Sequence, residues 1–463
     1  MNWIRRMYQW LDTRLCIGSV ILPVLEHPVP ANIDWWYVLG SATLIAFVFQ
    51  IITGVALAMS YVPAPNSAYD SLNFITNQAV LGSLIRGIHY FGASAMVILI
   101  ACHAAHVFVI GSYKFPREIN WLTGVLLLFL TLGMAFTGQL LRWDQDAYWA
   151  VVVAAEQVGR TPLIGQQLAQ LVVAGQTVGG ATLTRFYATH VFLMPALMFL
   201  LIGTHLYLVI VEGVSEPPEP GVPVDPATYQ RRYHEILEKG IPFFPDAAWK
   251  DVVFALAVGV VVLALSALIG PPQLGPLPDP TIVQAYPRPD WYFLWYFALL
   301  ALVPKSLEDA FILGFPLVVA VVLLALPFVA NKGERSPLRR PWAPAIVTLS
   351  ALSIAVLVRQ GDIAPWSPNL NPGPLPASVT QNLTPSERHG AELFQQKACH
   401  ACHVVAGTGG LRGPDLTDVG ARLTRPQLTT RILNGGVNMP AYGGNISPQD
   451  LNDLVDFLQT LKG

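Results

Sequence analysis

The sequence predicts an all-α protein, namely a polytopic membrane helix bundle of about seven transmembrane helices followed by a small all-α C-terminal domain. Of its 463 residues, 53% are hydrophobic and only 12% are charged, whereas about a quarter of the residues in a soluble domain are charged. Apolar segments long enough to cross a bilayer, about 20 residues each, recur along most of the chain. Residues 386–463 have no such segment and include two amphipathic stretches, at 386–398 and 447–461, which we predict to be helices.

The predicted spans are at 35–61, 83–110, 119–140, 185–213, 251–270, 311–330 and 343–359. The N-terminus carries basic residues but lacks the apolar stretch and small-residue cleavage site of a signal peptide. We therefore expect residues 1–30 to lie along the membrane surface. Seven spans place the two ends of the chain on opposite sides of the membrane.

Basic residues in the short loops predict the orientation, because cytoplasmic loops are enriched in Lys and Arg. One side carries the basic groups near residues 5–14, 114–117, 231–250 and 332–340, and the other side carries a sparser set. This asymmetry predicts a cytoplasmic N-terminus and a C-terminal domain on the outer face.

Changes in composition divide the chain into four segments. Residues 1–214 contain four spans, two of which carry pairs of histidines, and residues 215–361 begin with a Pro-rich, charged stretch and contain three spans without histidine. Residues 362–385 are a Pro- and Asn-rich linker, which we expect to be semi-extended. Residues 386–463 form the small C-terminal domain. The sequence has neither an internal repeat nor a signal for nucleic-acid binding, and we expect no nucleic-acid partner.

The C-terminal domain contains Cys399-His400-Ala401-Cys402-His403, and C-x-x-C-H is the attachment pattern of a c-type haem. Two thiols one helical turn apart can both form thioethers to one porphyrin, and the imidazole of His403 can then reach the iron. Met439 follows 36 residues after that histidine in a Gly-rich loop, beside Asn438 and Pro440. We predict it to be the sixth iron ligand, a role in which methionine raises the reduction potential.

The alternative interpretation of this motif is a zinc knuckle or a redox dithiol. Zinc would need two further nitrogen or sulfur ligands nearby. The only other cysteines of the sequence, Cys16 and Cys102, lie hundreds of residues away in hydrophobic sequence. The sequence therefore favours one covalent haem c.

Four histidines form a repeated pattern within two predicted spans. His89 and His103 are 14 residues apart, and His190 and His205 are 15 apart. These steps return to roughly the same helix face and rise about 21 to 22 Å, so each helix offers one imidazole near each membrane surface. Since ionisable residues inside the membrane are costly and usually functional, we predict two haem b groups, one between His89 and His190 and one between His103 and His205. His106 fits neither pair and is expected to be a packed or interfacial residue.

Glycines in the first and third spans show the same period as the predicted ligands. Gly40 and Gly54 are 14 residues apart, as are Gly124 and Gly138. Glycine allows the closest backbone approach, although glycine pairs are also common at contacts between membrane helices. Repetition in two helices predicts that these four glycines pack against haem b.

Four stretches give the chain its resemblance to cytochrome b of the bc1 and b6f complexes, namely Arg86-Gly87-Ile88-His89, Gly111-Ser112-Tyr113-Lys114-Phe115-Pro116-Arg117-Glu118, Trp143-Asp144-Gln145 and Thr184-Arg185-Phe186. The 15-residue step and the seven spans resemble the form with b6 and subunit IV, fused here into one chain. The C-terminal domain resembles a small class I cytochrome c. The resemblance implies a bacterial inner-membrane protein, a homodimer, and Arg86 packed near haem b.

Pro289-Asp290-Trp291-Tyr292 lies in the loop between the fifth and sixth spans and resembles the P-E-W-Y motif of the outer quinol-oxidation site, with Asp for Glu. Quinol must lose two protons as it loses electrons, so a carboxylate is needed as a base. We predict that all four residues bind quinol and that Asp290 and Tyr292 are catalytic. The alternative is an ordinary interfacial Trp and Tyr cluster, although the preceding Tyr286 and Pro287 support the functional interpretation.

The inner site departs from both groups of relatives. Val38 stands where the b6f type has the cysteine of an extra haem, so no such haem is expected, although Cys16 is an alternative attachment point. Ile210 stands where relatives have a quinone-binding histidine or arginine. Asp251 matches a family carboxylate and is predicted to bind quinone there.

The resemblance implies a quinol–cytochrome c reductase that passes one electron to a Rieske iron–sulfur protein and haem c, and the other across both haem b groups to an inner quinone. The cysteines are otherwise accounted for, so the Rieske centre must be on another chain, and a soluble cytochrome c is an expected acceptor. Proton translocation would accompany this cycle. The rival is a non-catalytic haem anchor that relays electrons for a dehydrogenase, which would need no outward carboxylate site. A pure transporter is contradicted by the haem motifs.

Overall fold

The computed structural model describes residues 2–175, 177–279, 288–364, 373–410, 413–436 and 439–463. Among these residues, seven helical segments are long and apolar enough to cross a membrane. They are Trp35–Ala58, Gly82–Val109, Glu118–Leu140, Gly180–Glu212, Phe243–Leu268, Glu308–Val329 and Trp342–Ile363. The predicted all-α membrane bundle is thus confirmed. The fourth and fifth segments begin earlier than predicted, at Gly180 and Phe243, because the helical residues before the predicted starts include polar or charged side chains, which a search for apolar runs does not include.

The helices of the first half are α1 (Asn2–Leu15), α2 (Ile17–Leu25), α3 (Leu39–Ala58), α4 (Ala68–Asn77), α5 (Gly82–Val109), α6 (Glu118–Leu140), α7 (Gln145–Gly159) and α8 (Gly165–Val173). Those that follow in the membrane part are α9 (Gly180–Ala188), α10 (Met194–Glu212), α11 (Tyr229–Leu237), α12 (Ala248–Leu268), α13 (Trp291–Ala301), α14 (Glu308–Val329) and α15 (Trp342–Ile363). Two-residue strands, β1 (Pro28–Val29) and β2 (Ile241–Pro242), pair in antiparallel register. Helix α13 was not predicted, because the sequence offered only a short apolar run after a Pro-rich loop.

The first four spans share one apolar core, made by α3, α5, α6 and α10. Small residues on α3, Ala42 and Ala46, are fully buried there against larger side chains that include Leu99, Leu127 and Met198. Small residues let membrane helices approach closely. The outward faces of α10, α12, α14 and α15 carry mostly exposed Leu, Val and Ile, as expected for surfaces that contact lipid.

A buried ion pair ties the two halves of the membrane part together. Arg335, in the loop between the last two spans, donates from Nη1 to Glu216 Oε1 at 2.7 Å, and Tyr229 donates to Glu216 Oε2 at 2.8 Å. Lys114 donates to the carbonyl oxygen of Lys332 at 2.8 Å. The Gly111–Glu118 motif therefore contacts the loop after the sixth span. A buried charge that loses its partner costs about 3–5 kcal/mol, so this cluster fixes how the halves meet.

The C-terminal domain contains α16 (Ala377–Thr380), α17 (Pro385–Gln396), α18 (Cys399–Cys402), α19 (Val419–Arg422), α20 (Arg425–Asn434) and α21 (Pro448–Thr460), with a small hairpin of β3 (Val404–Val405) and β4 (Thr408–Gly409). The two predicted helices correspond to α17 and α21. A side-chain oxygen caps the start of each helix: Thr384 accepts from the Glu387 amide, and Ser447 accepts from the Asp450 amide. Both helices pack together around Phe394 and Phe457, which are almost fully buried.

Candidate functional site

The four histidines of the sequence pattern form two pairs inside the bundle. The ring centroids of His89 and His190 are 6.3 Å apart, and those of His103 and His205 are 6.4 Å apart. A metal–imidazole bond is about 2.0 Å long. Two imidazoles on opposite sides of one ion, with the distance from each ring nitrogen to its ring centre added, place their centroids about 6 Å apart. The spacing of both pairs therefore fits one metal ion, such as a haem iron, held between two histidines.

Threonines hold three of these imidazoles by Nδ1. The contacts are Thr53 with His89 at 2.9 Å, Thr123 with His205 at 2.9 Å and Thr137 with His190 at 3.0 Å. Each hydroxyl donates its own proton to a backbone carbonyl three or four residues earlier, so it can only accept from the imidazole. Nδ1 therefore carries the proton, and Nε2 keeps the lone pair that a metal requires.

The four glycines lie directly against the four imidazoles. A Cβ atom added at Gly54 would be 3.3 Å from His89 Cε1, and one at Gly138 would be 2.7 Å from His190 Cε1. At Gly40 the distance to His103 Cε1 would be 3.2 Å, and at Gly124 the distance to His205 Cε1 would be 3.5 Å. These contacts explain the shared period, because each glycine faces one histidine across a helix interface. Arg86, three residues before His89 in α5, is buried and donates to Thr76 Oγ1 at 2.9 Å.

In the C-terminal domain, Cys399 and Cys402 are the two ends of the one-turn helix α18. His403 follows at once, and its Nδ1 lies 2.8 Å from the carbonyl oxygen of Pro414. A carbonyl only accepts, so Nδ1 carries the proton and Nε2 is left for a metal. Burial lowers the pKa of His403, which favours the neutral, ligating form. Met439 packs against the domain core, whereas Asn438 is outside the described residues.

Asp290 is the N-cap residue of α13, and Trp291 and Tyr292 form its first turn. The phenol of Tyr292 donates to Asp290 Oδ2 at 2.7 Å. Burial raises the pKa of Asp290, while this hydrogen bond and the positive charge of Arg142 act to lower it. The indole of Trp291 donates to Ser94 Oγ at 3.2 Å. The result is a carboxyl group in a partly apolar setting that can still lose its proton. Tyr286 and Pro287 are outside the described residues.

The Asp290 segment and the C-terminal domain are at the same end of the bundle as the pair His89–His190. The side-chain amide of Gln139, next to Gly138, lies 3.5 Å from the carbonyl oxygen of Arg288. Gln145 hydrogen-bonds the backbone of Asp279, and Asn445 of the C-terminal domain donates to Asp279 Oδ1 at 3.2 Å. Sequence reasoning missed these contacts, since single polar residues in loops give no periodic signal.

Asp251 marks the opposite end. Its Oδ1 accepts a hydrogen bond from Ser41, the residue after Gly40, and Gly40 packs on His103. Asp251 is therefore close to the second histidine pair.

Several residues that depart from the family pattern, or that the sequence analysis left without a ligand role, have the following surroundings. Val38 is buried, whereas Ile210 is 42% exposed. His106 packs edge-on against Tyr37, with ring centroids 5.1 Å apart, so it belongs to the packing around this end rather than to either pair. Cys16 and Cys102 are both exposed.

Comparison with known proteins agrees with this architecture. The family described as "Cytochrome b/b6/petB" matches residues 24–213, and "Cytochrome b(C-terminal)/b6/petD" matches residues 279–373. A cytochrome b6 of Heliobacterium mobile is 41% identical over 210 residues, which cover 45% of this chain and 99% of that protein. The chain belongs to the cytochrome b/b6 family. The predicted resemblance is thereby confirmed.

Two further comparisons extend this cytochrome b assignment. The menaquinol:cytochrome c reductase cytochrome b subunit of Bacillus subtilis (strain 168) is 37% identical over 222 residues, or 46% of this chain and 99% of that protein. A solved structure titled "Hyperthermophilic respiratory Complex III" is 25% identical, with a TM-score of 0.66, and the match covers 84% of this chain and 95% of that one. Residues 385–458 match the family "Cytochrome C oxidase, cbb3-type, subunit III". The chain is thus a membrane electron-transport protein with cytochrome b and cytochrome c parts.

Proposed function

We propose that this chain is the catalytic core of a quinol–cytochrome c reductase that oxidises membrane quinol at the Asp290 end and sends its two electrons along separate routes. The observation that carries the proposal is the placement of a half-buried carboxyl group at the same end of the bundle as one of the two imidazole pairs. A simple relay needs the imidazole pairs but not the carboxyl group. The names of the reductase subunit and of the respiratory complex noted above support the same activity.

His89 with His190, and His103 with His205, would each hold one non-covalent haem b through Nε2. Cys399 and Cys402 would attach one haem c, and His403 and Met439 would bind its iron. Bound haem supplies one-electron redox chemistry at each of these places. The two pairs are separated by 14 and 15 residues along their helices, a rise of about 21 to 22 Å, so they mark a route across the membrane.

At the outer site, Pro289, Asp290, Trp291 and Tyr292 would bind quinol, with Asp290 accepting a hydroxyl proton. Because the pKa of Asp290 is raised, it lies closer to the pKa of the weakly acidic quinol hydroxyl. A smaller difference between the two pKa values makes proton transfer more efficient. Tyr292 holds Oδ2, which leaves Oδ1 for the substrate. The pKa of Tyr292 is raised by burial and by the Asp290 charge, so its phenol stays protonated and remains a donor.

At the inner site, Asp251 would supply protons to quinone. Ser41 orients its Oδ1, and Lys250 donates to the carbonyl oxygen of Ile33 at 2.8 Å, which holds the start of the fifth span against the segment before α3. Proton release at one end and uptake at the other would couple electron flow to proton translocation.

The partners follow from this arrangement. A Rieske iron–sulfur protein would take the first electron from quinol, since two of the four cysteines in the sequence belong to the haem c motif and the other two are far apart. A soluble cytochrome c would accept electrons from haem c, and two copies of the chain would form a dimer. In a bacterial inner membrane the N-terminus would be cytoplasmic, and the C-terminal domain would be on the outer face with Asp290.

The proposal is tested by purifying the complex from membranes, identifying its subunits and mixing it with quinol. We expect a Rieske protein to copurify and both haem b and haem c to become reduced. Acid–acetone extraction should remove two haems and leave one attached. Copurification of a dehydrogenase, with haem b reduced and haem c left oxidised, would instead establish the relay. A second covalent haem would implicate Cys16.

A further inference from the structure

The four imidazoles differ in the residue that precedes the glycine each one faces. Thr53, Thr123 and Thr137 precede Gly54, Gly124 and Gly138, and each binds the Nδ1 of the imidazole that its glycine faces. The residue that precedes Gly40 is Leu39. Within the described ranges, no threonine makes this hydrogen bond to His103. The pair His89–His190 therefore has two threonine contacts, and the pair His103–His205 has one.

These contacts act on whatever metal the histidines hold. An imidazole that donates its Nδ1 proton to an acceptor becomes a more basic ligand through Nε2. A more basic ligand stabilises ferric over ferrous iron, so it lowers the reduction potential, and hydrogen bonding around the ligands is one of the means by which a protein sets that potential. The direction of the hydrogen bond is settled here, because each threonine proton is already used by a backbone carbonyl.

We propose that these threonines, and their absence at Leu39, set the difference in reduction potential between the two haem b sites. The inference rests on the proposed function, in which both pairs hold haem b. With two threonine contacts, the haem between His89 and His190 has the lower potential, and the haem between His103 and His205 has the higher one. An electron that leaves the Asp290 end therefore moves downhill toward Asp251. Leu39 is a positioning residue, since its side chain offers the His103 imidazole no hydrogen-bond acceptor where the other three positions have a threonine hydroxyl.

Potentiometric titration of the two haem b absorbance bands in the purified complex tests this directly. Thr53→Val and Thr137→Val remove a hydroxyl with little change in shape, and each should raise the midpoint potential of the lower-potential haem alone. Thr123→Val should raise that of the other haem. Leu39→Thr should lower the potential of the haem held by His103, while Leu39→Val, which has the same shape without the hydroxyl, serves as the matched control.

Haem content is measured in every variant, so a potential is compared only between fully loaded proteins. Potentials that do not move in the three valine variants, or that move equally in Leu39→Thr and Leu39→Val, would overturn this inference while leaving the proposed function intact. A wild-type protein that lacks two haem b groups would overturn both. The electron paramagnetic resonance of the ferric haems provides a second readout, which should change in the same variants because the ligand basicity changes.

Discussion

The Tyr292 phenol donates a 2.7 Å hydrogen bond to Asp290 Oδ2, and the two residues share the first turn of α13. Burial of the carboxyl group raises its pKa, and this bond opposes the rise. The tyrosine is therefore one of the groups that limit how far burial raises the pKa of Asp290 above that of a free aspartate. Two predictions concern this pair.

Asp290→Asn keeps the shape of the side chain but removes the base. We expect quinol-driven reduction of haem c and haem b to slow by about 10²- to 10⁴-fold, the usual contribution of general acid–base catalysis. Asp290→Glu, which restores the commoner residue of the family motif, is the matched control and should keep much of the activity. Reduction rates measured by stopped flow between pH 5 and 8 check this. Wild-type rates in Asp290→Asn across that range would mean that the proton leaves by another route.

Tyr292→Phe should move the pH dependence of quinol oxidation to higher pH. The base must be deprotonated to act, so the rate falls as the pH drops through the pKa of Asp290. Removing the phenol donor takes away a contact that lowers this pKa, so the fall should begin at a higher pH than in the wild type. Tyr296→Phe on the same helix is the control, because Tyr296 packs on Phe311 rather than on Asp290. An unchanged profile in Tyr292→Phe would show that the hydrogen bond has no influence on the base.

Met439→His should lower the reduction potential of haem c, since a methionine opposite a histidine gives a higher potential than two histidines do. Electron transfer from the Rieske partner to haem c should slow accordingly. The potential and the optical spectrum of the reduced haem are measured together. If both stay as in the wild type, the sixth ligand is another residue.

Glu216→Gln should destabilise the membrane part by about 3–5 kcal/mol, because it leaves the charge of Arg335 buried without its partner. Glu219→Gln removes an exposed carboxylate three residues away and should have little effect. Thermal unfolding of the detergent-solubilised complex compares the two variants. Equal stability would mean that water enters the cluster and screens the charge.

The sequence predicted the parts of this protein that repeat or that follow a compact motif. The histidine steps placed two imidazole pairs, and the structure brings both pairs together with their glycines. The helix α13 was missed, because its apolar run is too short to span a membrane and begins with residues that sequence reasoning assigned to a loop. The role of Thr53 was also missed. A hydroxyl next to a glycine has no signal of its own until the opposite imidazole is seen to contact it.

Contacts between distant segments were also not predictable, because a single polar residue gives no signal in the sequence until its partner is known. The bonds from Gln139 to the Arg288 carbonyl and from Asn445 to Asp279 join residues that are far apart in the chain and have no charge pattern in common. They depend on how the segments pack, which no local periodicity encodes. Yet they bring the C-terminal domain and the Asp290 segment to one end of the bundle.

An oxidant pulse distinguishes two separate routes for the electrons of quinol from a single shared route. The complex with its Rieske partner is supplied with quinol, and an oxidant of haem c is then added while the absorbance of haem b is followed. Separate routes predict that haem b becomes reduced at the moment when haem c is oxidised, because each electron drawn outward releases another across the membrane. If haem b is instead oxidised together with haem c, both electrons share one route and the chain is a relay.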